Sequence, residues 1–205
     1  MKIEVRDINI HDEWSEEPIA FHANLYVNDR KIGETENRGN GGCTRYFILK
    51  VEDAESLRQA EEFCKTLPPY KIRNYPSEGQ ETEFPMDLET FIDNAVNEEF
   101  EKMELKTFNE KLEKDQLDSI VFGIKDKSYR RHRLENTVDE MLKTRAGIKV
   151  LECKILYKIS KWMKEDENIL NTNLPEELIT LSRRPNPRKQ VDSDLENRPR
   201  SRKSK

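Results

Sequence analysis

Residues 21–27, FHANLYV, alternate apolar and polar side chains, and this pattern restricts the fold more than any other feature of the sequence. A period of two places the apolar side chains on one face of a strand that is buried on one side. The turn residues 28–31, NDRK, follow, and residues 32–38 then have the pattern of a returning strand. Two more strands are predicted, over residues 2–10 with a bulge near Arg6-Asp7 and over residues 43–51.

The remainder of the chain alternates between helical and irregular patterns. Apolar residues at helical spacing predict a helix over 53–67, with Asp53 as its N-cap, and a second helix that begins at Asp87. Residues 70–86 contain two prolines and a glycine and predict a connection with one short strand at most. Beyond Phe100 the second helix is expected to continue as a solvated extension.

The C-terminal half has its own signals. Residues 119–134 predict a short hairpin, and Thr137 with Glu140 predicts a capping box that opens a third helix. Gly147 is expected to interrupt that helix before an apolar stripe that ends near Lys164. Residues 182–205 combine arginine, proline and serine with few apolar residues, which predicts disorder.

These elements predict an α+β protein: a small N-terminal antiparallel sheet packed by a helix, then a mainly helical region with a short hairpin, then a disordered basic tail. The expected organisation is residues 1–86, 87–181 and 182–205. Charged residues make up 38% of the chain against about 25% in an average soluble protein, so we expect a thin core and long solvated helix faces.

Charge is distributed unevenly along the chain. Residues 182–205 contain nine basic and three acidic residues, whereas residues 1–181 have a net charge of −11. Such asymmetry indicates that the tail binds a polyanion or folds back on its own acidic body.

The cysteines and the N-terminus indicate the cellular compartment in which the protein is expected. Cys43, Cys64 and Cys153 are odd in number and widely spaced, which signals neither a disulfide framework nor a zinc site. The first fourteen residues carry charges throughout, which argues against a signal peptide, and no apolar run approaches the length of a membrane span. A cytoplasmic protein without a membrane partner, metal or cofactor is expected, since its three histidines are also scattered.

A glycine-rich segment is the first candidate site. It comprises Gly39, Gly41, Gly42, Cys43, Thr44 and Arg45. The spacing matches neither dinucleotide-binding nor phosphate-loop motifs, and a strand pattern follows it where those motifs need a helix. A wide turn between strands is the favoured interpretation; the alternative is an enzyme that uses loop 39–45, with Cys43 as nucleophile.

Two basic segments are candidate nucleic-acid contacts. The first is the hairpin segment with Tyr129, Arg130, Arg131 and Arg133, which could hold phosphates while the ring stacks, or could neutralise the acidic body instead. If the segment is a strand, Arg130 and His132 face one way. The second is the tail, with Arg183, Arg184, Arg188, Lys189, Arg198, Arg200, Arg202 and Lys203, whose alternative role is a solubilising appendage.

Three stretches carry a resemblance to a known group of proteins. They are LYVNDRKIGETENRGNGGCTRYF from Leu25, AEEFCKTLPP from Ala60, and a later FGI, SY and ILNTNL series. The sequence resembles a family of small proteins encoded by gut bacteria and by their mobile elements and phages, over residues 1–95 and, more loosely, 117–175. The resemblance implies a cytoplasmic setting linked to a mobile element or phage, and it supplies no catalytic residue.

The resulting hypothesis is a non-catalytic accessory protein that binds a macromolecule, either nucleic acid or a host protein. The tail and the YRRHR segment favour nucleic acid, whereas the acidic body favours a protein with a basic surface.

Overall fold

The computed structural model describes residues 1–11, 19–73, 77 and 79–183, and it has the predicted α+β architecture. The chain forms two compact units that divide between Glu104 and Leu105. Segment 184–205, nearly all of the predicted disordered tail, lies outside the described residues.

The first unit is built on a four-stranded antiparallel sheet in chain order. Its strands are β1 (Ile3–Ile10), β2 (Phe21–Val27), β3 (Arg30–Asn37) and β4 (Arg45–Ile48). The predicted bulge is confirmed, because the β1–β2 register shifts between Arg6 and Asn9. The β2–β3 turn places Asn28 and Asp29 at φ 49° and 65°, the left-handed conformation that tight hairpin turns require. Strand β4 is shorter than the stretch predicted for it.

Two helices cover the apolar face of this sheet. Helix α1 (Ala54–Cys64) follows a short 3₁₀ turn over Val51–Asp53, and α2 (Leu88–Asp115) begins where it was predicted. Buried residues of both helices and of the strands form one core: Ile3, Phe21, Ala23, Leu25, Val27, Ile32, Ala60, Cys64, Leu88, Ile92 and Val96. The alternating apolar residues of 21–27 therefore form part of the sheet's side of the interface between the sheet and the two helices.

Asp53 occupies the N-cap position of α1, but its side chain makes no capping hydrogen bond. The buried carboxylate forms an ion pair with Arg30 instead. The predicted N-cap position is confirmed, but a guanidinium from the neighbouring hairpin engages the side-chain oxygens, and a charge-assisted pair is the stronger interaction.

Residues 70–86 contain two short strands where one at most was expected. Strand β5 (Tyr70–Arg73) pairs antiparallel with β6 (Glu81–Phe84). Lys71 Nζ lies 3.1 Å from a Glu81 oxygen and 2.8 Å from a Glu83 oxygen. Cross-strand charge pairs therefore accompany this hairpin. Its strands have only four residues each, in a segment whose two prolines and glycine indicate a connection.

The second unit contains a three-stranded sheet. The predicted hairpin is confirmed as β7 (Ser119–Ile124) and β8 (Ser128–Arg133), and β9 (Asn168–Ile169) pairs with the other edge of β7. The Asn171 side chain extends this short pairing, since its Oδ1 accepts from the Val121 amide at 2.6 Å and its Nδ2 donates to the Ser119 carbonyl at 3.0 Å. Asn171 is buried and replaces backbone partners at the end of β9.

Up to residue 183, where the described part of this unit ends, four helices and a π-helical turn accompany the sheet. They are α3 (Val138–Leu142), α4 (Arg145–Lys154), the π-helical turn Ile155–Ile159, α5 (Ser160–Trp162) and α6 (Glu176–Leu181). The predicted capping box of Thr137 and Glu140 is confirmed. The core contains Ile120, Phe122, Leu134, Val138, Met141, Leu151, Ile155, Ile159, Ile169, Leu174 and Leu178.

Gly147 lies in the first turn of α4, whose N-cap Thr144 accepts a hydrogen bond from the Gly147 amide. The helical break that we expected at Gly147 falls before it, at residues 143–144. A Cβ at position 147 would lie 2.2 Å from the Met141 carbonyl oxygen. Close packing of α3 on α4 therefore explains the glycine.

Candidate nucleic-acid interface

The two units carry net charges of opposite sign. Residues 1–104 contain 12 basic and 24 acidic residues, a formal charge of −12, whereas residues 105–205 contain 24 basic and 17 acidic residues, a formal charge of +7. The acidic excess of the chain therefore belongs to the first unit. A site for a polyanion is electrostatically favoured in the second.

Residues 105–183, the described part of the second unit, contain 16 basic and 14 acidic residues, and the basic residues are concentrated in one helical segment. Residues 143–164 contain seven basic residues and one acidic residue, Glu152. The basic residues are Lys143, Arg145, Lys149, Lys154, Lys158, Lys161 and Lys164. The apolar stripe of this segment was predicted from the sequence, whereas its lysines were missed, although a local charge count would have detected them.

Strand β8 contributes a guanidinium and an imidazole beside that segment. Arg130 pairs with Phe122 and His132 with Ile120 across the hairpin, so both lie on the strand face that includes core residues. This confirms the predicted division of the strand, with Arg130 and His132 on one face. Lys154 Nζ lies 3.4 Å from His132 Nε2.

Trp162 lies at the centre of these groups. Its ring centroid is 5.6 Å from that of His132 in an edge-on arrangement, and 5.1 Å from Lys158 Nζ. The centroid of the Phe122 ring lies 6.5 Å from that of Trp162, and the two ring planes meet at 33°. Arg130, His132, Lys154, Lys158 and Trp162 are called the Trp162 cluster below.

The cluster perturbs the titration of His132. Burial lowers the pKa of the imidazole, and the positive charges of Lys158 and Lys154 lower it further. An uncharged imidazole can accept a hydrogen bond from Lys154. Within the described part of the chain, neither Lys154 nor Lys158 forms an ion pair with a carboxylate. Their ammonium groups are therefore available to an anion.

Arg130 is held more firmly. Its guanidinium donates to Glu167 Oε2 at 2.5 Å and to the Trp162 carbonyl at 2.8 Å, and it lies 4.9 Å from the Phe122 ring centroid. These contacts fix β8 to the C-terminal end of the helical segment 143–164. Arg130 thus organises the cluster, while its own charge is paired with Glu167.

The other predicted hairpin residues lie on the opposite face of β8. The Tyr129 hydroxyl donates to Asp115 at 3.0 Å, and its ring packs edge-on against Phe108. Arg131 forms an ion pair with Asp115, and Arg133 Nε lies 3.2 Å from Asp118 Oδ2. Intramolecular pairing, one of the two roles expected for these arginines, is therefore present, and the structure does not bring them together with Arg130.

Of the tail residues predicted to contact nucleic acid, Arg183 alone lies within the described part of the chain. The Arg183 guanidinium donates to the Asn168 side-chain oxygen at 3.0 Å. Arg184, Arg188, Lys189, Arg198, Arg200, Arg202 and Lys203 lie outside the described residues.

The glycine-rich segment forms the loop between β3 and β4, with φ values of 71° at Gly39 and 80° at Gly41. The buried Asn37 side chain accepts from the Gly39 amide and donates to the Gly42 carbonyl and the Thr44 hydroxyl. These hydrogen bonds hold the loop from inside, as the turn interpretation requires.

The loop also borders a cavity of about 320 Å³, whose lining includes Cys43, Arg38 and Arg45. The Cys43 thiol is exposed. The Nε2 atom of His22, on β2, lies 3.6 Å from a carboxylate oxygen of Glu34. The arrangement supplies cationic neighbours for a thiol but brings in no histidine from β2.

Two other kinds of site find no support in the structure. In the described residues, no group of three or more histidine, cysteine, aspartate or glutamate side chains is placed to hold a metal ion. No described helix combines the length and the apolar character needed to cross a bilayer. Comparison with protein-family models, with curated proteins and with solved structures finds no match to the chain.

Proposed function

We propose that this protein is a non-catalytic accessory protein that binds nucleic acid through its second unit. The observation that carries the proposal is the Trp162 cluster, in which two ammonium groups without carboxylate partners among the described residues lie beside a half-exposed indole. Lysines of this kind bind phosphates and release counterions, and an adjacent aromatic ring can contact a base.

The distribution of charge supports the same surface. The first unit, at −12, repels a phosphate backbone, so contact is confined to the second unit, whose formal charge of +7 includes the tail. The tail adds eight basic and three acidic residues after Arg183 and strengthens binding without selecting a sequence. The setting proposed, from the resemblance noted above, is the cytoplasm of a bacterium that carries a phage or mobile element.

The test is fluorescence anisotropy of labelled DNA and RNA oligonucleotides with the full-length protein across a salt series. The double variant Lys154→Gln/Lys158→Gln should bind more weakly, and its slope of log affinity against log salt should fall by about 0.7 to 0.9 for each phosphate that the variant no longer neutralises. A chain ending at residue 181 measures the contribution of the tail.

The matched control is Lys106→Gln/Lys111→Gln, which removes the same charge from exposed positions of α2 in the same unit. It should leave the slope close to that of the unmodified protein. Equal effects of the two double variants would mean that the Trp162 cluster is not the contact surface. Binding to a host protein would then become the leading hypothesis, with the acidic first unit as its contact.

A further inference from the structure

Trp162 is both fixed by its neighbours and accessible. The residue is 44% exposed, whereas Ile155 and Ile159 of the same helical segment are fully buried. Phe122, His132 and Lys158 surround the ring, and Arg130 binds the Trp162 carbonyl. The indole is therefore held in place with part of its surface open to a planar ligand.

The surrounding charges match such a ligand. Lys154 and Lys158 lie one helical turn apart on the segment that ends in Trp162, and Lys158 lies close to the ring itself. A ligand that stacks on the indole would thus place neighbouring anionic groups within reach of two ammonium groups. The repeating unit of a nucleic-acid strand has this combination of a flat base and a phosphate.

The backbone geometry of this helix supports a specialised surface. The π-helical turn Ile155–Ile159 lies between Lys154 and Trp162, and Ser160 donates its hydroxyl to the Leu156 carbonyl at 2.5 Å. Such turns insert an extra residue and rotate the residues that follow, and they are frequent at functional sites. Ile155 and Ile159, at the two ends of the turn, are buried in the core, whereas Trp162, three residues further on, is accessible.

An exposed ring beside cations distinguishes single strands from duplexes. In a duplex the base faces are stacked on one another, and phosphate contacts alone remain for a surface of this kind. Unpaired bases can stack on an aromatic side chain, and this contact tolerates any base. The cluster therefore fits an unpaired strand better than a duplex.

We propose that the Trp162 cluster binds single-stranded nucleic acid, with one base stacked on the Trp162 indole and adjacent phosphates held by Lys154 and Lys158. This inference rests on the proposed function and adds the ligand class. The contact is to the base face and the backbone, so it carries little sequence preference.

The experiment uses full-length protein carrying Trp14→Phe, which leaves Trp162 as the sole tryptophan. An oligo-dT of about 20 nucleotides, its oligo-U counterpart and a self-complementary duplex hairpin of equal charge are titrated in turn. Single strands should quench Trp162 fluorescence with the same isotherm that anisotropy reports, and the duplex should not. Comparison of oligo-dT with oligo-U shows whether the protein has different affinities for a DNA strand and an RNA strand.

A second variant, Trp162→Leu, tests the energetic contribution of the ring. It should weaken single-strand binding about 5- to 100-fold and leave duplex binding nearly unchanged. Trp162→Phe should retain part of the affinity, because it keeps a ring that can stack. Thermal melting of each variant checks that the second unit remains folded, and the quenching experiment needs no substitution at position 162.

The outcomes separate the two proposals. Tight binding that depends on Lys154 and Lys158 but shows no quenching and no preference for single strands would overturn this inference alone. Binding of neither ligand at low salt, or binding insensitive to those lysines, would overturn the proposed function and this inference with it.

Discussion

The Thr44 hydroxyl donates a 2.5 Å hydrogen bond to Oδ1 of Asp93, and the Thr44 amide donates to Glu89 Oε1 at 3.0 Å. Thr44 also accepts from the buried Asn37 side chain. One residue at the end of the glycine-rich loop therefore joins β3, β4 and α2 within the first unit. The loop is held by polar contacts at its base, and its glycines allow the backbone to turn above them.

Thr44→Val should destabilise the first unit by about 1–3 kcal/mol, because it removes the hydroxyl that serves both the Asp93 carboxylate and the Asn37 amide. Thr44→Ser keeps the hydroxyl and is the control. Urea unfolding of both variants measures the change. Equal stability of the Val variant and the unmodified protein would show that this network contributes nothing.

Asp93 gives the first unit a specific pH dependence. Burial raises the pKa of this carboxyl above 3.8, the Thr44 hydrogen bond opposes the rise, and the nearby Glu89 and Asp87 charges reinforce it. The folded state therefore binds a proton at Asp93 more tightly than the unfolded chain does. The contribution to stability is largest below the unfolded pKa and is lost as pH rises through the raised folded pKa.

Asp93→Asn should remove this dependence, because an amide oxygen can accept from Thr44 without carrying a charge. The free energy of unfolding of the variant, measured against the unmodified protein from about pH 4 to 8, should improve relatively as pH rises. A constant difference across that range would contradict the assignment.

The three thiols should react in two classes. Cys43 and Cys153 are exposed, whereas Cys64 is buried in the first core, where burial and the Asp87 charge raise its pKa to about 11. A thiol reagent at about pH 8 should therefore label two cysteines of the folded protein quickly and the third only in denaturant. Cys153→Ser should reduce the rapid phase to one thiol.

The same measurement tests the enzymatic alternative. If Cys43 is an activated nucleophile, the Cys153→Ser protein should react at least about tenfold faster than the Cys43→Ser protein. Similar rates for the two variants would leave no support for catalysis by the glycine-rich loop.

Gly147 should tolerate no side chain. Gly147→Ala places a Cβ 2.2 Å from the Met141 oxygen, and the required shift of α3 against α4 should cost about 1–3 kcal/mol. This is opposite in sign to the usual effect of alanine in a helix. Ala146→Ser, at the exposed neighbouring position, is the control for thermal melting. A stabilised Gly147→Ala protein would contradict the close packing described.

Nucleic-acid affinity should depend on pH through His132. Burial, Lys158 and Lys154 lower the pKa of its imidazole, and a phosphate bound to the Trp162 cluster would offset these positive charges and favour the imidazolium. Binding should therefore strengthen as pH falls from about 7.5 to 5.5 at constant salt. His132→Gln should flatten the profile, and an unchanged profile in that variant would exclude His132 as the titrating group.

Local patterns predicted most of the individual elements. The alternation over 21–27, the Asn28-Asp29 turn, the hairpin at 119–134 and the capping box of Thr137 are each complete within a few adjacent residues, so the sequence alone was enough to identify them. The second strand of the β5–β6 hairpin was missed because each strand has only four residues, in a segment whose two prolines and glycine indicate a connection.

The sequence by itself determined the α+β class, the antiparallel N-terminal sheet and the excess of charge in particular segments, because these depend on periodicity and composition. Tertiary structure alone decided which charges meet. Thr44 reaches Asp93, Arg131 reaches Asp115 and His132 reaches Lys154 across long separations in the chain. Such contacts follow from the packing of whole elements, and side-chain chemistry at one position does not specify its distant partner. The accessibility of the Trp162 indole is likewise a result of the tertiary structure, in which Ile155 and Ile159 of the same helical segment are buried while Trp162 stays exposed.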